Sequence, residues 1–370
     1  MKLRLALDWN WSTIRSSTSS TNGSDDMPRR VMARLGRLMA IFAVTTILAG
    51  LSLAHAQGAD PEFIWLSPST WNIGFKGLLR DLQAAADRGY RLVPLPVTPL
   101  LLLVQKSSDG SEPVEYVFAS EAKEMDAKAA VGYRLVNNNV MVRRKGVTTR
   151  TYEYAQVATR LRQSLENELR VAVAKGFRVV DLRLGSVVGL RSFLVGVDDT
   201  EFIAILERPA GTTGAAPVEY IVLSSLKVGT MQSELQAAAD RGYRLLPFEG
   251  AWGATVLLEK FGDAEPIDYL ALSTTKTATM QTEMNKASTA GYRFAGTLGR
   301  GTREFVVMMQ RTKGRRDRTH DYVLLATQRL GTMKRESQMQ FAKGFRVVGF
   351  TTSGQLTTAE SVAIFERSLQ

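Results

Sequence analysis

The sequence predicts an α+β protein built from six tandem β-α-β-β units, and three recurring phrases predict it. A helical run followed by Gly, Tyr or Phe, and Arg occurs at Gly89-Tyr90-Arg91, Gly132-Tyr133-Arg134, Gly176-Phe177-Arg178, Gly242-Tyr243-Arg244, Gly291-Tyr292-Arg293 and Gly344-Phe345-Arg346, at intervals of 43, 44, 66, 49 and 53 residues. An acid and an aromatic residue open a β-prone run before each helix: Glu62-Phe63, Glu115-Tyr116, Glu153-Tyr154, Glu219-Tyr220, Asp268-Tyr269 and Asp321-Tyr322. Most units close with an apolar strand ending in Glu or Gln and then Arg or Lys, as at Gln105-Lys106, Glu207-Arg208, Glu259-Lys260, Gln310-Arg311 and Glu366-Arg367. The second unit closes on Arg143-Arg144 instead.

The last unit shows why each piece takes its form. Tyr322 to Thr327 is short, aromatic and apolar, as a strand is. The run from Arg329 to Lys343 carries Met333, Ser337, Gln340 and Phe341 at helical spacing with a polar opposite side. Gly344 ends that helix, because the residue after a helix terminus usually needs a positive φ. Arg346 to Phe350 and Val362 to Phe365 follow as strands, joined by a Gly- and Thr-rich turn. The fourth and fifth units repeat the scheme, with third strands beginning at Thr255 and Phe305.

Several strands are apolar at consecutive positions, such as Val256-Leu257-Leu258 and Val306-Val307-Met308-Met309. A strand without a polar face implies a sheet covered on both sides. One unit of about 50 residues cannot close such a core alone, so the units must pack on one another. The expected arrangements are two pseudo-threefold lobes or one ring of six. LQAAADRGYRL occurs at 82–92 and again at 235–245, and AKGFRVV at 174–180 and again at 342–348. These identities describe a duplicated triplet. They place units one to three in residues 57–208, a Gly/Ala/Pro linker at 209–217, and units four to six in 218–370.

This pattern of an aromatic first strand, a helix leaving through Gly-aromatic and a third strand ending in a base resembles a family of short bacterial β-α-β-β domains of unknown function. The likeness covers nearly all of residues 60–368. That family commonly carries Gly-Trp-Glu at the helix exit, where this chain has Gly-Tyr/Phe-Arg. The resemblance implies a fold and no activity.

The N-terminus reads as an address. Arg29, Arg30, Arg34 and Arg37 precede an uncharged apolar run at 38–53, and Ala54-His55-Ala56 follows. This basic, apolar, small-residue order is that of a secretory signal cleaved after Ala56, which predicts a periplasmic or secreted protein. The run is shorter than the ~20 residues a membrane span needs.

Composition removes several function classes. The chain has no cysteine, which excludes disulfides, thiolate metal sites and cysteine nucleophiles. Of two histidines, His55 lies in the signal, leaving His320. No phosphate loop, nucleophile elbow or paired metal-spaced acids appear in the sequence, and no cofactor is expected. Trp71 and Trp252 occupy turns and read as caps on the core. The net charge of +11 falls to +7 once residues 1–56 are set aside.

Two sets of basic residues are candidate binding groups. The six arginines of the Gly-aromatic-Arg phrase could line an anion-binding surface, although repeated structural ion pairs are the simpler explanation. Arg143, Arg144, Lys145 and Arg150 lie between units two and three, and Arg311, Lys313, Arg315, Arg316 and Arg318 between units five and six. These matched junctions are candidates for an anionic envelope polymer. They lack interleaved aromatics, which disfavours nucleic acid. The expected function is an exported non-enzymatic repeat scaffold or binding protein, with a protein or an anionic envelope polymer as partner. The alternatives are a glycan-active envelope enzyme, with acids and arginines meeting between units, and a purely structural envelope protein.

Overall fold

A computed structural model describes residues 61–67, 75–95, 101–107, 112–137, 139–186, 200–225, 227–246, 255–262, 265–299, 304–315, 319–353 and 360–369. The expected signal segment, Trp71, Trp252, Arg316 and Arg318 lie outside them. The fold is mixed α+β, with six helices and eighteen strands in six three-stranded antiparallel sheets among the described residues. Residues 60–370 form one compact unit. Among the described residues no helix is long and apolar enough to cross a membrane.

The first sheet holds β1 (Phe63–Leu66), β2 (Tyr90–Leu92) and β3 (Leu102–Lys106), with helix α1 (Phe75–Asp87) between β1 and β2. The second holds β4 (Val114–Phe118), β5 (Arg134–Asn137) and β6 (Val140–Arg144), with α2 (Ala122–Ala129). The third holds β7 (Tyr152–Thr159), β8 (Arg178–Ser186) and β9 (Thr200–Pro209), with α3 (Arg162–Ala174). The fourth holds β10 (Val218–Ser224), β11 (Arg244–Leu245) and β12 (Thr255–Phe261), with α4 (Val228–Ala239). The fifth holds β13 (Ile267–Thr274), β14 (Arg293–Gly299) and β15 (Phe305–Thr312), with α5 (Thr277–Thr289). The sixth holds β16 (His320–Thr327), β17 (Arg346–Ser353) and β18 (Glu360–Ser368), with α6 (Leu330–Ala342). In every sheet the third strand is central, so the first and second strands are both edges.

The helices bury a stripe at i, i+4 and i+7 or i+8, seen as Met231, Leu235 and Ala238 in α4 and Met333, Ser337 and Phe341 in α6. Each helix ends on the repeated glycine, whose φ lies between 80° and 93° at all six positions. The next N–H then turns back onto the helix, as Phe345 does to the carbonyl of Gln340 at 3.1 Å.

The consecutive apolar residues of the central strands have a direct explanation. Val306 and Met308 of β15 share a core with α4 residues Met231 and Leu235, while Val307 and Met309 share another with α5 residues Met280 and Met284. Each sheet is thus covered by its own helix on one face and the preceding helix on the other. In β18, Val362 and Ile364 join the α5 core, and Ala363 and Phe365 join the α6 core. The segment 209–217 carries the chain from β9 to β10, and Ala216 N–H bonds the carbonyl of Val173 in α3 at 2.8 Å. One core spans this junction, from Leu165 and Leu169 to Val222 and Leu257. The last core joins the first and sixth sheets: Phe63, Trp65, Leu101 and Leu103 pack with Met333, Phe341, Phe350 and Phe365.

Candidate functional site

Edge strands leave rows of backbone groups without ladder partners. Here, side chains of the preceding helix cover the first strand of each sheet. Gln83 of α1 donates to the carbonyl of Val114 at 3.0 Å and accepts from Tyr116 N–H at 3.1 Å. Gln236 does the same for Ile267 and Tyr269, and Asn285 for both groups of Tyr322. Asp126 accepts from Tyr154 N–H and Glu166 from Val222 N–H. Gln338 of α6 donates to the carbonyl of Phe63 at 2.7 Å, so the last helix covers the first strand.

The tyrosine that follows the first-strand acid reaches in the opposite direction. The Tyr154 hydroxyl accepts from Leu135 N–H at 2.8 Å and donates to Glu207 at 3.1 Å. Tyr220 joins Val179 N–H to Glu259, and Tyr322 joins Phe294 N–H to Glu366. Tyr116 and Tyr269 accept from Leu92 and Leu245 N–H. In each case the N–H belongs to the residue after the repeated arginine of the preceding sheet. Burial, reinforced by the neighbouring glutamate charge, pushes the Tyr154, Tyr220 and Tyr322 phenols well above their usual range, so these three hydroxyls keep their protons.

The repeated arginines follow the same direction. Arg134 pairs with Glu207 at 2.8 Å, Arg178 with Glu259 at 2.8 Å and Arg293 with Glu366 at 3.1 Å, each time in the next sheet. Arg346 pairs with Glu366 of its own sheet at 3.0 Å. Arg91 donates to the carbonyls of Ala86, Tyr90 and Glu112. Arg244 faces a sheet whose corresponding residue is the neutral Gln310, and its buried Nη1 has no hydrogen-bond partner. Burial lowers the Arg244 pKa. Within one sheet Arg178 and Glu207 are cross-strand neighbours, yet the bonds run to the neighbouring sheets.

The strand-closing bases make a second repeated cluster. Arg143, Arg208, Arg311 and Arg367 pair with the first-strand acids Glu115, Glu153, Asp268 and Asp321. They also donate to the carbonyls of Val131, Lys175, Ala290 and Lys343 at the helix ends. Their guanidinium carbons lie 4.4–4.6 Å from the ring centres of Tyr133, Phe177, Tyr292 and Phe345. One cluster therefore accounts for the acid, the aromatic and the base in the second, third, fifth and sixth units.

The remaining described cations of the two matched junctions also meet acids. Arg144 pairs with Glu112 at 3.0 Å, Lys145 with Asp87 at 3.4 Å and Arg150 with Asp126 at 2.6 Å. Lys313 pairs with Asp240 at 2.7 Å and Asp268 at 3.6 Å. Arg315 is exposed.

Two of the repeated arginines, Arg293 and Arg346, come together around Glu366, which is 1% exposed. Burial would push its carboxyl up, but the hydrogen bonds from Arg293 and Arg346 outweigh this and hold it below the usual glutamate value. His320 is buried beside it, with Nε2 at 3.8 Å. A cleft of ≈ 610 Å³ opens there, with Arg293, Arg346, Gln105, Gln310 and Glu366 on its polar side and Phe63, Leu95 and Phe294 among its apolar residues. Among the described residues no group of three His, Asp or Glu side chains is placed to hold a metal.

Two features escape the sequence reading. The covering amides Gln83, Gln236, Asn285 and Gln338 all lie six residues before the helix-ending glycine, and Asp126 shares that offset. That constant spacing was the available signal. A buried pair, Asp181 with Arg183, which also reaches Asn139, occurs in the third sheet and belongs to no repeated phrase. Burial pushes the Asp181 carboxyl up against the opposing Arg183 charge.

No family model, curated protein or solved structure matches the chain.

Proposed function

We propose that this chain is an exported, non-enzymatic repeat scaffold that binds an anionic ligand. Its six tandem β-α-β-β units, a duplicated triplet by sequence, close into one ring, and they are akin to short bacterial domains of unknown function. The observation that carries this reading is the bond from Gln338 to the Phe63 carbonyl. It repeats between the last and first sheets the contact that joins the other neighbours, and the shared core of Phe63 and Phe341 supports it. The order of residues 29–56 supports export to the periplasm or beyond.

Binding, rather than catalysis, is favoured by the chemistry of the cleft. Glycoside hydrolysis commonly uses two carboxylates ~5–10 Å apart. Among the described residues lining this cleft Glu366 is the one carboxylate, and its two guanidinium partners keep it ionised. Arg144, Lys145, Arg150 and Lys313 meet Glu112, Asp87, Asp126 and Asp240, one acid for each base, whereas Arg293 and Arg346 share the carboxylate of Glu366 at the cleft. This favours the cleft arginines as the groups that meet an anion.

Thermal unfolding of the chain beginning at Gln57 tests the reading, measured with acetate, sulfate, phosphate, 4-phenylbutyrate or heparin against neutral dextran at constant ionic strength. Binding predicts that at least one anion raises the melting temperature and dextran does not. No response to any anion contradicts it and leaves a purely structural envelope protein.

A further inference from the structure

We infer that the cleft where the last and first sheets meet, lined also by residues of the fourth and fifth sheets, is a binding site for a small monocarboxylate with an apolar body, an inference that rests on reading the chain as a closed repeat scaffold. Five of the six first strands carry a tyrosine whose hydroxyl accepts an N–H from the preceding sheet. β1 carries Phe63 in its place. Three central strands carry a glutamate opposite that tyrosine, and each takes the arginine of the preceding sheet. β3 carries the neutral Gln105 there. The junction where α6 meets β1 therefore lacks both the hydroxyl and the carboxylate.

The neighbouring charges adjust accordingly. Arg346 would meet Gln105 by the rule of the other junctions, and instead bonds Glu366 of its own sheet, which already holds Arg293. Arg346 thus shares a carboxylate with Arg293 and has none of its own across the junction to the first sheet. The ≈ 610 Å³ cleft opens at this junction, with Gln105 and Arg346 both lining it. That volume falls within the ~300–1,000 Å³ of small-molecule sites, which combine an apolar lining with a few placed polar groups.

The absent group itself defines the ligand chemistry. A carboxylate set against Arg346 supplies what Glu207 and Glu259 supply elsewhere, and a guanidinium fork suits a carboxylate. The Gln105 amide donates to Glu62 at 3.2 Å and keeps a second N–H for the ligand. The apolar part of the ligand then lies on Phe63, Val93 and Leu95, which line the same cleft.

Isothermal titration with 4-phenylbutyrate and its neutral isostere 4-phenylbutyramide, at constant ionic strength and neutral pH, tests the site. The acid is expected to bind, and the amide at least about tenfold more weakly, as loss of a charge-assisted contact requires. Gln105→Glu installs the carboxylate found at other junctions, at the cost of the Gln105 bond to Glu62, and is expected to weaken phenylbutyrate about tenfold or more while the protein stays folded. Arg346→Gln is expected to erase the preference for acid over amide. The inference is overturned if phenylbutyrate does not bind, if acid and amide bind alike, or if Gln105→Glu binds as the parent does. Other anions that still stabilise the protein in those cases leave the anion-binding scaffold standing with a different site.

Discussion

Arg134 begins β5 and donates from Nη2 to Glu207 of β9 at 2.8 Å, so the pair joins two sheets. The same step, from one sheet to the next, is made by Arg178 to Glu259 and Arg293 to Glu366. Each glutamate also receives the hydroxyl of the tyrosine on its own first strand. Three groups that are far apart in sequence therefore form one joint, repeated at three junctions. The glutamate is buried at Glu207 and Glu366, where it would be costly without its partners.

Removing one hydroxyl should expose this dependence. Tyr154→Phe leaves Leu135 N–H and one oxygen of Glu207 without their partner. A loss of about 1–3 kcal/mol in unfolding free energy is expected, read from urea denaturation. An unchanged midpoint would mean that the joint carries no stability.

Acid should weaken the protein through Glu366. Its carboxyl titrates below the ordinary glutamate value when folded, and at about 4.3 when unfolded. The ionised form is thus favoured by folding. Its stabilisation is complete above the unfolded value and is lost as pH falls through the folded one. The urea midpoint of the parent should fall more steeply than that of Glu366→Gln from about pH 6 to pH 3, with the variant the less stable at neutral pH. Parallel profiles would contradict this.

The covering amides should protect specific edge groups. Gln236→Leu removes the partners of Tyr269 N–H and of the Ile267 carbonyl. Hydrogen exchange at the Tyr269 amide should accelerate, while the ladder amides of central β15 hold their protection. Equal exchange before and after the substitution would assign edge protection elsewhere.

The strand-closing bases should behave as structural ties. Arg311→Met loses the Asp268 pair, the Ala290 carbonyl and the Tyr292 ring contact together. A destabilisation of about 1–3 kcal/mol is expected, and Arg311→Lys should recover only part of it, since an ammonium lacks the fork that serves three partners. Full recovery by lysine would reduce the role of Arg311 to charge alone.

Much of this architecture was legible in the sequence because its signals are local. The glycine at each helix end, the spacing of Met333, Ser337 and Phe341 and the apolar runs of β12 and β15 reflect backbone and burial rules within one unit. The strand ends were less legible: β17 runs to Ser353, three residues beyond the expected Phe350. Of the repeated arginines, Arg134, Arg178 and Arg293 form ion pairs that link sheets, where a pair within one unit was the simpler expectation, and Arg346 pairs within its own sheet. The reason is geometric: Arg134 and Glu207 are 73 residues apart, and no local pattern encodes which unit a side chain leans toward. The cleft was illegible for a related reason. It depends on two departures from the repeat, Phe63 and Gln105, which acquire meaning only once the last helix is seen to cover the first strand.

Closure of the first sheet onto the last helix is the claim on which the rest depends, and one cross-link tests it directly. Lys334 Nζ donates to Ser67 Oγ at 2.9 Å across 267 residues of sequence. The chain has no native cysteine, so Ser67→Cys with Lys334→Cys gives a single thiol pair. After treatment of the folded protein with a short bis-maleimide and proteolysis, mass spectrometry should find the peptides containing positions 67 and 334 joined within one chain. Two separate singly labelled peptides from folded, monomeric protein would contradict the closed ring.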